Sequence, residues 1–354
     1  MLKIVSCISL FVLSFISCYY NANLNVTSGD KFTVGFYNVE NLFDTISDPD
    51  STLILRDDFT PPGTKIWNSD RYYSKLKQLD KVISNVGLDD DSSGISLMGI
   101  CEVENRKVLV DLLRQKNLSD RGIQVIHEDG NDHRGIDVAL LYNPVKFEYL
   151  GHSTVPLILP GDSLPSSRDQ LIVQGILGGD SIYVIVSHWP SKRGGEAISN
   201  PKRNAAAALG RFLIDSLLAI NNNSKVIYMG DLNDNPFASS VKNYLMTSKS
   251  FEEKGKGLMF NPMEAIQNSG LGTYCYREEW NVIDQILYSE GFVNEKFEGL
   301  KHKETKIYSP DWIKVSEGKY KGTPFRTYAG SKYLGGYSDH FPVYSILIST
   351  NKDG

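Results

Sequence analysis

Five short apolar runs in this chain each end on ionisable or amide side chains, and no other feature constrains the fold as tightly. Three are Phe36-Tyr37-Asn38-Val39-Glu40, Met98-Gly99-Ile100-Cys101-Glu102 and Ile185-Val186-Ser187-His188-Trp189-Pro190. Tyr228-Met229-Gly230-Asp231-Leu232-Asn233-Asp234 and Tyr337-Ser338-Asp339-His340-Phe341-Pro342 complete the set. Short runs rich in β-branched and aromatic residues read as strands. Burying a lone charge is costly, so this many ionisable strand ends call for one shared site. The residue types are those that a hard divalent cation and phosphate hydrolysis need. No thiolate or Ser nucleophile arrangement accompanies them.

The length of 354 residues permits two domains or one large one. A composition of 41% hydrophobic and 22% charged residues supplies an ample core. The net charge of −5 gives no whole-protein attraction to nucleic acid, so a polyanion has to be held by a local patch or through metal ions.

Residues 1–18 read as a signal peptide: Lys3 precedes an almost unbroken apolar run over residues 4–16. Phe15-Ile16-Ser17-Cys18 resembles a bacterial lipobox, which would make Cys18 the lipidated first residue of the mature chain. Residues 19–31 then form a tether. The expectation is an exported protein, periplasmic or at the cell surface, either tethered by a lipid anchor at Cys18 or free after ordinary signal cleavage. Cys101 and Cys275 remain for the mature domain. An oxidising compartment allows them to pair, and their spacing makes no zinc site.

One domain is expected over residues 32–350. The first strand begins at Phe32, and helical spacing marks residues 70–86, 105–116 and 201–220. Further strands fall at 95–100, 136–142, 145–150, 171–177, 181–187, 225–229, 282–288 and 343–348. Hairpin-like strand groups with intervening helices predict an α+β fold of two packed sheets covered by helices. Residues 250–279 and 291–336 read as long loops. The second interleaves Lys301, Lys306, Lys314, Lys319 and Arg326 with Trp312, Tyr320, Tyr328 and Tyr333, either a mixture able to grip phosphates and stack bases or a solvated loop anchored by its aromatics.

Glu102, closing an apolar strand, is either a metal ligand or a cap for the helix starting near Asn105. Asn38 offers a neutral amide oxygen that Mg²⁺ accepts. Asp231 and Asn233 lie two apart, so an extended backbone would point both to one side, and the alternative is an Asx-turn before Asn235-Pro236. Asp339 and His340 are adjacent and diverge, which gives them different roles. Asp284, inside an otherwise apolar strand, needs a partner, and an imidazole oriented through its second nitrogen is a sensible one. His188 is a third imidazole. No P-loop, Gly-x-Ser-x-Gly elbow or His-Glu-x-x-His helix is present.

Taken in order from Asn38 to His340, this set resembles the endonuclease/exonuclease/phosphatase superfamily, with deoxyribonuclease I as a familiar member. Asn38-Val39-Glu40-Asn41-Leu42-Phe43-Asp44, Arg134-Gly135-Ile136-Asp137 and His188-Trp189-Pro190-Ser191 look like a bacterial exported subgroup. The resemblance implies a four-layered α/β/β/α sandwich of two mainly antiparallel sheets with the site at one edge. It implies Glu102 as principal Mg²⁺ ligand, with Asn38 and Asp339 near the metal and Mn²⁺ or Ca²⁺ as alternatives. It further implies that Asp231 and Asn233 position or activate the attacking water. His340, oriented by Asp284, would be base or phosphate ligand, and His188 would touch the phosphate or assist the leaving group. Cys101 departs from the Gln found in many members, and Glu40 is a candidate for a second metal. Charge and position add Arg134, Arg168, Lys192 and Arg193 as phosphate contacts. The function implied is that of a monomeric metal-dependent nuclease or phosphodiesterase acting by metal-activated water, with DNA or RNA as candidate substrates. A phosphomonoesterase or lipid-headgroup phosphodiesterase is the alternative, and a non-catalytic binding protein stands behind both.

Overall fold

The computed structural model describes residues 26–221, 224–250 and 257–350. The expected leader with Cys18, and residues 19–25 of the tether, lie outside the described residues.

Alternation in the first strand sets the layering. β1 (Lys31–Leu42) sends Phe32, Val34 and Phe36 to one face and Tyr37 and Val39 to the other, as a period of two requires. There follow α1 (Ser69–Asn85), β2 (Ile95–Val103), α2 (Arg106–Leu113), α3 (Lys116–Asp120), β3 (Gln124–Ile126) and β4 (Asp137–Tyr142). The next stretch holds β5 (Phe147–Val155), β6 (Gln170–Leu177), β7 (Asp180–His188), α4 (Glu196–Ile220) and β8 (Lys225–Asp231). After β9 (Thr247–Ser248), β10 (Met259–Phe260) and α5 (Met263–Asn268) come the short β11 (Tyr274–Tyr276) and β12 (Glu279–Asn281). The chain closes with β13 (Asp284–Tyr288), β14 (Leu300–Ile307), β15 (Tyr328–Ala329), β16 (Lys332–Tyr333) and β17 (Val343–Ser349).

One sheet has the order β14-β17-β1-β2-β4-β3 and the other β5-β6-β7-β8-β13-β10-β9. Both are mainly antiparallel; the parallel pairs are β1 with β2, β7 with β8 and β9 with β10. Phe36, Leu97 and Val138 from the first sheet meet Val184, Ile227 and Met229 from the second in a central core. The sheets approach so closely that a Cβ on Gly99 would lie 2.6 Å from Met229 Sδ. Behind the first sheet, Leu76, Leu79, Val82 and Ile83 of α1 are fully buried, each stabilising the fold by roughly 1.5–3 kcal/mol. Behind the second, Ala206, Leu213 and Ile214 of α4 pack on Ile185 and Tyr228. The order of layers is α/β/β/α.

Three readings of the sequence change. The helix expected from Pro201 begins at Glu196, and Arg203 Nη2 stitches the added turn by reaching Glu196 Oε2 at 3.2 Å. The described part of residues 250–279 holds β10, α5 and β11 rather than a loop. Residues 291–336 contain β14, an edge strand whose charges hide any apolar alternation and discourage pairing with other chains.

Most aromatics of that last stretch point inward, while Tyr320 stays exposed. Tyr308, Trp312, Tyr328 and Tyr333 pack against the core behind the first sheet. Arg71 and Lys81 stack on Tyr333 and Trp312 at 4.4 and 4.2 Å. Lys306, Lys314, Lys319 and Arg326 are in ion pairs. The expected base-stacking surface is therefore an anchored wall.

Candidate active site

The parallel pairs β1 with β2 and β7 with β8 end at the same edge, and backbone register aligns the side chains there. His188 pairs with Asp231, and Asp231 with Asp284, so three functional residues form one rung of the second sheet. Asn38 pairs with Cys101 on the first. Beyond that rung the backbone of β1 and β2 leaves the regular ladder: Glu40, Asn41 and Glu102 adopt φ of 53°, 50° and 65°. Such bulges are common beside active sites, where they re-aim a side chain. Here they bring Glu102 Oε2 to 3.0 Å from the Asn41 amide, which donates to it. The cap of α2 comes from Asn105, whose side chain accepts from Val108 N at 3.1 Å, so Glu102 is no cap.

Across the two sheets, Asn38 Nδ2 donates to Asp231 Oδ2 at 3.1 Å. The same oxygen lies 3.6 Å from His188 Nε2 and 4.0 Å from His340 Nε2. His188 Nε2 is 3.9 Å from Glu102 Oε1, and His340 Nε2 is 3.8 Å from Asp339 Oδ1. His340 Nδ1 and Asp284 Oδ2 stand 2.7 Å apart. The anticipated carboxylate–imidazole pair is thus present. Ser338 Oγ ties the segment that carries His340 to the end of β1, donating to Asn38 O at 2.7 Å while accepting from His340 N at 3.1 Å.

Electrostatics single out this edge. Burial first, then the Asp284 charge, pushes the Asp231 carboxyl up to about 7. Burial pulls His340 down, but Asp284, Asp339 and Asp231 outweigh it and hold the imidazole well above its ordinary value. His188 is driven well below its ordinary value by burial and by Arg168 and Arg134. Asp284 Oδ1 is buried with no hydrogen-bond partner. Glu102 and Asp339 commit one oxygen each, to Asn41 N and to Arg326, and Asn38 Oδ1 accepts from Glu40 N at 2.9 Å, so these three would hold a hard divalent cation through their remaining lone pairs.

The endonuclease/exonuclease/phosphatase family model matches residues 33–349, which spans both sheets and every residue of this edge. The chain belongs to this family. No curated protein matches it in sequence. In structure it is similar to truncated TDP2 of Caenorhabditis elegans, with a TM-score of 0.54 at 16% identity, covering 90% of this chain and 98% of that one. The mannosyl-6-phosphatase of Bacteroides thetaiotaomicron gives 0.53 at 17% identity, covering 89% and 99%. The catalytic domain of human nocturnin, with a bound sulfate anion, gives 0.52 at 13% identity, covering 90% and 95%. At these identities the likeness speaks for the fold. As a member of the endonuclease/exonuclease/phosphatase family, the chain is a metal-dependent phosphoester hydrolase.

Within this family site some expected residues take other positions. Asn233 is not in an extended segment: its φ is 50°, its amide N donates to Asp231 Oδ1 at 2.9 Å and its Nδ2 to Trp189 O at 2.9 Å. It turns back to brace the rung rather than running parallel to Asp231. Glu40 spends both oxygens on the amides of Thr327 and Tyr328, at 2.6 and 3.1 Å, and so ties the wall to β1 instead of facing a second ion. Arg168 is buried and clamps the His188 and Trp189 carbonyls and Asp132, so it builds the site from behind. Lys192 pairs with Glu196 and Asp234 at 3.1 and 3.3 Å, and Asp234 is in turn gripped by buried Arg203. Arg134 and Arg193 line a cavity that reaches Asp339. Cys101 and Cys275 are unpaired thiols.

Further contributors come from outside the expected site set: Arg326, from the stretch expected to grip phosphates, and Tyr274 and Lys75, which the sequence did not single out. Arg326 reaches Asp339 Oδ2 at 3.2 Å, and the Tyr274 ring lies 4.8 Å from that of His340. Lys75, fully buried, bonds Thr327 Oγ1 and Tyr337 O, both at 2.6 Å, and so fastens the segment that carries Arg326. Their positions far apart in sequence gave no local sign that they meet at this edge.

Proposed function

We propose that the chain is an exported, Mg²⁺-dependent phosphodiesterase of nuclease type, with Mn²⁺ able to substitute. One observation carries the reading: Asp231 Oδ2 is met by Asn38 Nδ2 at 3.1 Å, with the imidazoles of His188 and His340 within 4.0 Å of it. Glu102, Asn38 and Asp339 hold the cation, which supplies charge neutralisation at the phosphate when bound. Asp231 takes the proton of the attacking water, and Asn233 keeps that carboxylate aimed through its amide bond. His340 donates Nε2–H to a phosphate oxygen, with Asp284 fixing the ring through Nδ1. His188 contacts the phosphate from the opposite side of Asp231. Preorganised donors and an aligned water are what phosphoryl transfer needs from a protein.

Export rests on the apolar run over residues 4–16 and on Phe15-Ile16-Ser17-Cys18. Mass spectrometry of the membrane fraction tests it: a diacylated Cys18 supports the anchor, and a soluble chain with an unmodified N-terminus contradicts it. A panel of plasmid DNA, RNA, bis-p-nitrophenyl phosphate, sphingomyelin and inositol phosphates tests the activity. Cleavage of the first three supports the nuclease-type reading; turnover confined to the last two contradicts it.

A further inference from the structure

We propose that the cavity beside the candidate active site binds a second phosphate of the substrate, so that the preferred substrate is a phosphoester carrying another phosphate nearby. The inference rests on the phosphoester-hydrolase reading above and names the substrate class for that site.

The cavity holds about 380 Å³, and Lys65, Arg134, Arg193 and Arg326 reach it from four distant parts of the chain. That volume suits a sugar or nucleoside with its phosphate. With a net charge of −5 for the chain, such a concentration of cations is local, not a general property of the surface.

The carboxylates in the same wall are already engaged. Glu40 faces main-chain amides, Asp58 Oδ1 accepts from Thr64 Oγ1 at 2.8 Å, and Asp339 Oδ2 is paired with Arg326 at 3.2 Å. The cations keep capacity to spare. Among the described residues no carboxylate forms an ion pair with Lys65 or Arg193. Lys65 Nζ donates to Gly330 O at 2.8 Å and lies 5.1 Å from the centre of the Tyr328 ring. Arg134 leans on Asp132 at 3.4 Å through Nε, while its Nη2 is buried with no partner. Guanidinium forks and an ammonium around one hollow suit a phosphate, which accepts bidentate and charge-assisted bonds.

Two residues join the hollow to the reacting edge. Asp339 lines the cavity and stands 3.8 Å from His340 Nε2. Asn41 lines it too, and its amide holds Glu102. An ester phosphate at the reacting edge therefore has the hollow as its immediate neighbour.

Two sources of the second phosphate are distinguishable with matched substrate pairs. The purified full chain with Mg²⁺ is assayed on thymidine 5′-(p-nitrophenyl phosphate) with and without a 3′-phosphate, and on glucose 1,6-bisphosphate against glucose 6-phosphate. The expected result is a kcat/KM higher by about tenfold or more for the doubly phosphorylated member of one pair. Preference in the nucleotide pair marks a polynucleotide-like source, and preference in the sugar pair a small phosphorylated metabolite. In Lys65→Ala and Arg193→Ala the ratio within that pair is expected to collapse toward one, with Lys65→Arg retaining most of it. Equal kcat/KM within both pairs, or a ratio unchanged in the double Lys65→Ala, Arg193→Ala variant, overturns this inference while leaving the hydrolase reading intact. Failure to hydrolyse any of the four, or bis-p-nitrophenyl phosphate, overturns both.

Discussion

Asn38 Nδ2 donates to Asp231 Oδ2 at 3.1 Å, and this bond joins the end of a strand in one sheet to the end of a strand in the other. The candidate site exists only while the two sheets hold that registration. Ser338, bridging Asn38 O and His340 N, sets His340 beside the end of β1, and His340 crosses to Asp284 of the second sheet at 2.7 Å.

Asn38→Ala removes a donor to Asp231 and a candidate metal contact together. The Mg²⁺ concentration giving half-maximal activity should rise by roughly 10–100-fold. A metal titration of activity checks this, and an unchanged midpoint would remove Asn38 from the account.

Asp284→Asn keeps the size of the side chain but cannot hold His340 in the same charged, oriented form. A fall in kcat of roughly 10²–10⁴-fold with little change in KM is expected. A loss expressed in KM alone would show that Asp284 serves substrate binding rather than the orientation of His340.

Arg168→Met takes from buried Asp132 its 2.8 Å guanidinium partner, leaves it the longer contact with Arg134, and frees two backbone carbonyls beside His188. Unfolding in urea should show a loss of about 3–5 kcal/mol. An unchanged midpoint together with lost kcat/KM would instead make Arg168 a phosphate contact.

His302 lies away from the site, its ring 5.0 Å from Tyr288 and 5.2 Å from Phe260, and burial brings its pKa from 6.5 down to about 4. Between those values the unfolded chain binds a proton that the folded chain refuses, so stability rises with pH across the window and is lost as pH falls. The contribution is up to about 3 kcal/mol. His302→Phe should flatten that part of the stability–pH curve relative to the unaltered protein. Parallel curves for the two would contradict the assignment.

The strands that carry the site were legible because their apolar runs are uninterrupted up to the polar residue. The pairing of Asp284 with an imidazole was legible for a related reason: a lone carboxylate inside an apolar strand has to find a partner. Left-handed backbone at Glu40, Asn41, Glu102 and Asn233 was not legible, since none of these is glycine and only tertiary bonds make those conformations hold. That is why Asn233 was expected beside Asp231 and Glu40 near a metal. Arg168 looked like a surface cation because its buried partners, Asp132 and two carbonyls, are 20 to 36 residues away in sequence. β14 escaped because an edge strand rich in Lys lacks the alternation that betrays a half-buried one.

The most direct measurement is hydrolysis of bis-p-nitrophenyl phosphate by the purified protein, with Mg²⁺ and after EDTA, beside an Asp231→Ala, His340→Ala double variant. The expected result is turnover that needs the metal, vanishes with EDTA and is absent from the correctly folded variant. Full activity in EDTA, or in that variant, would contradict the central claim.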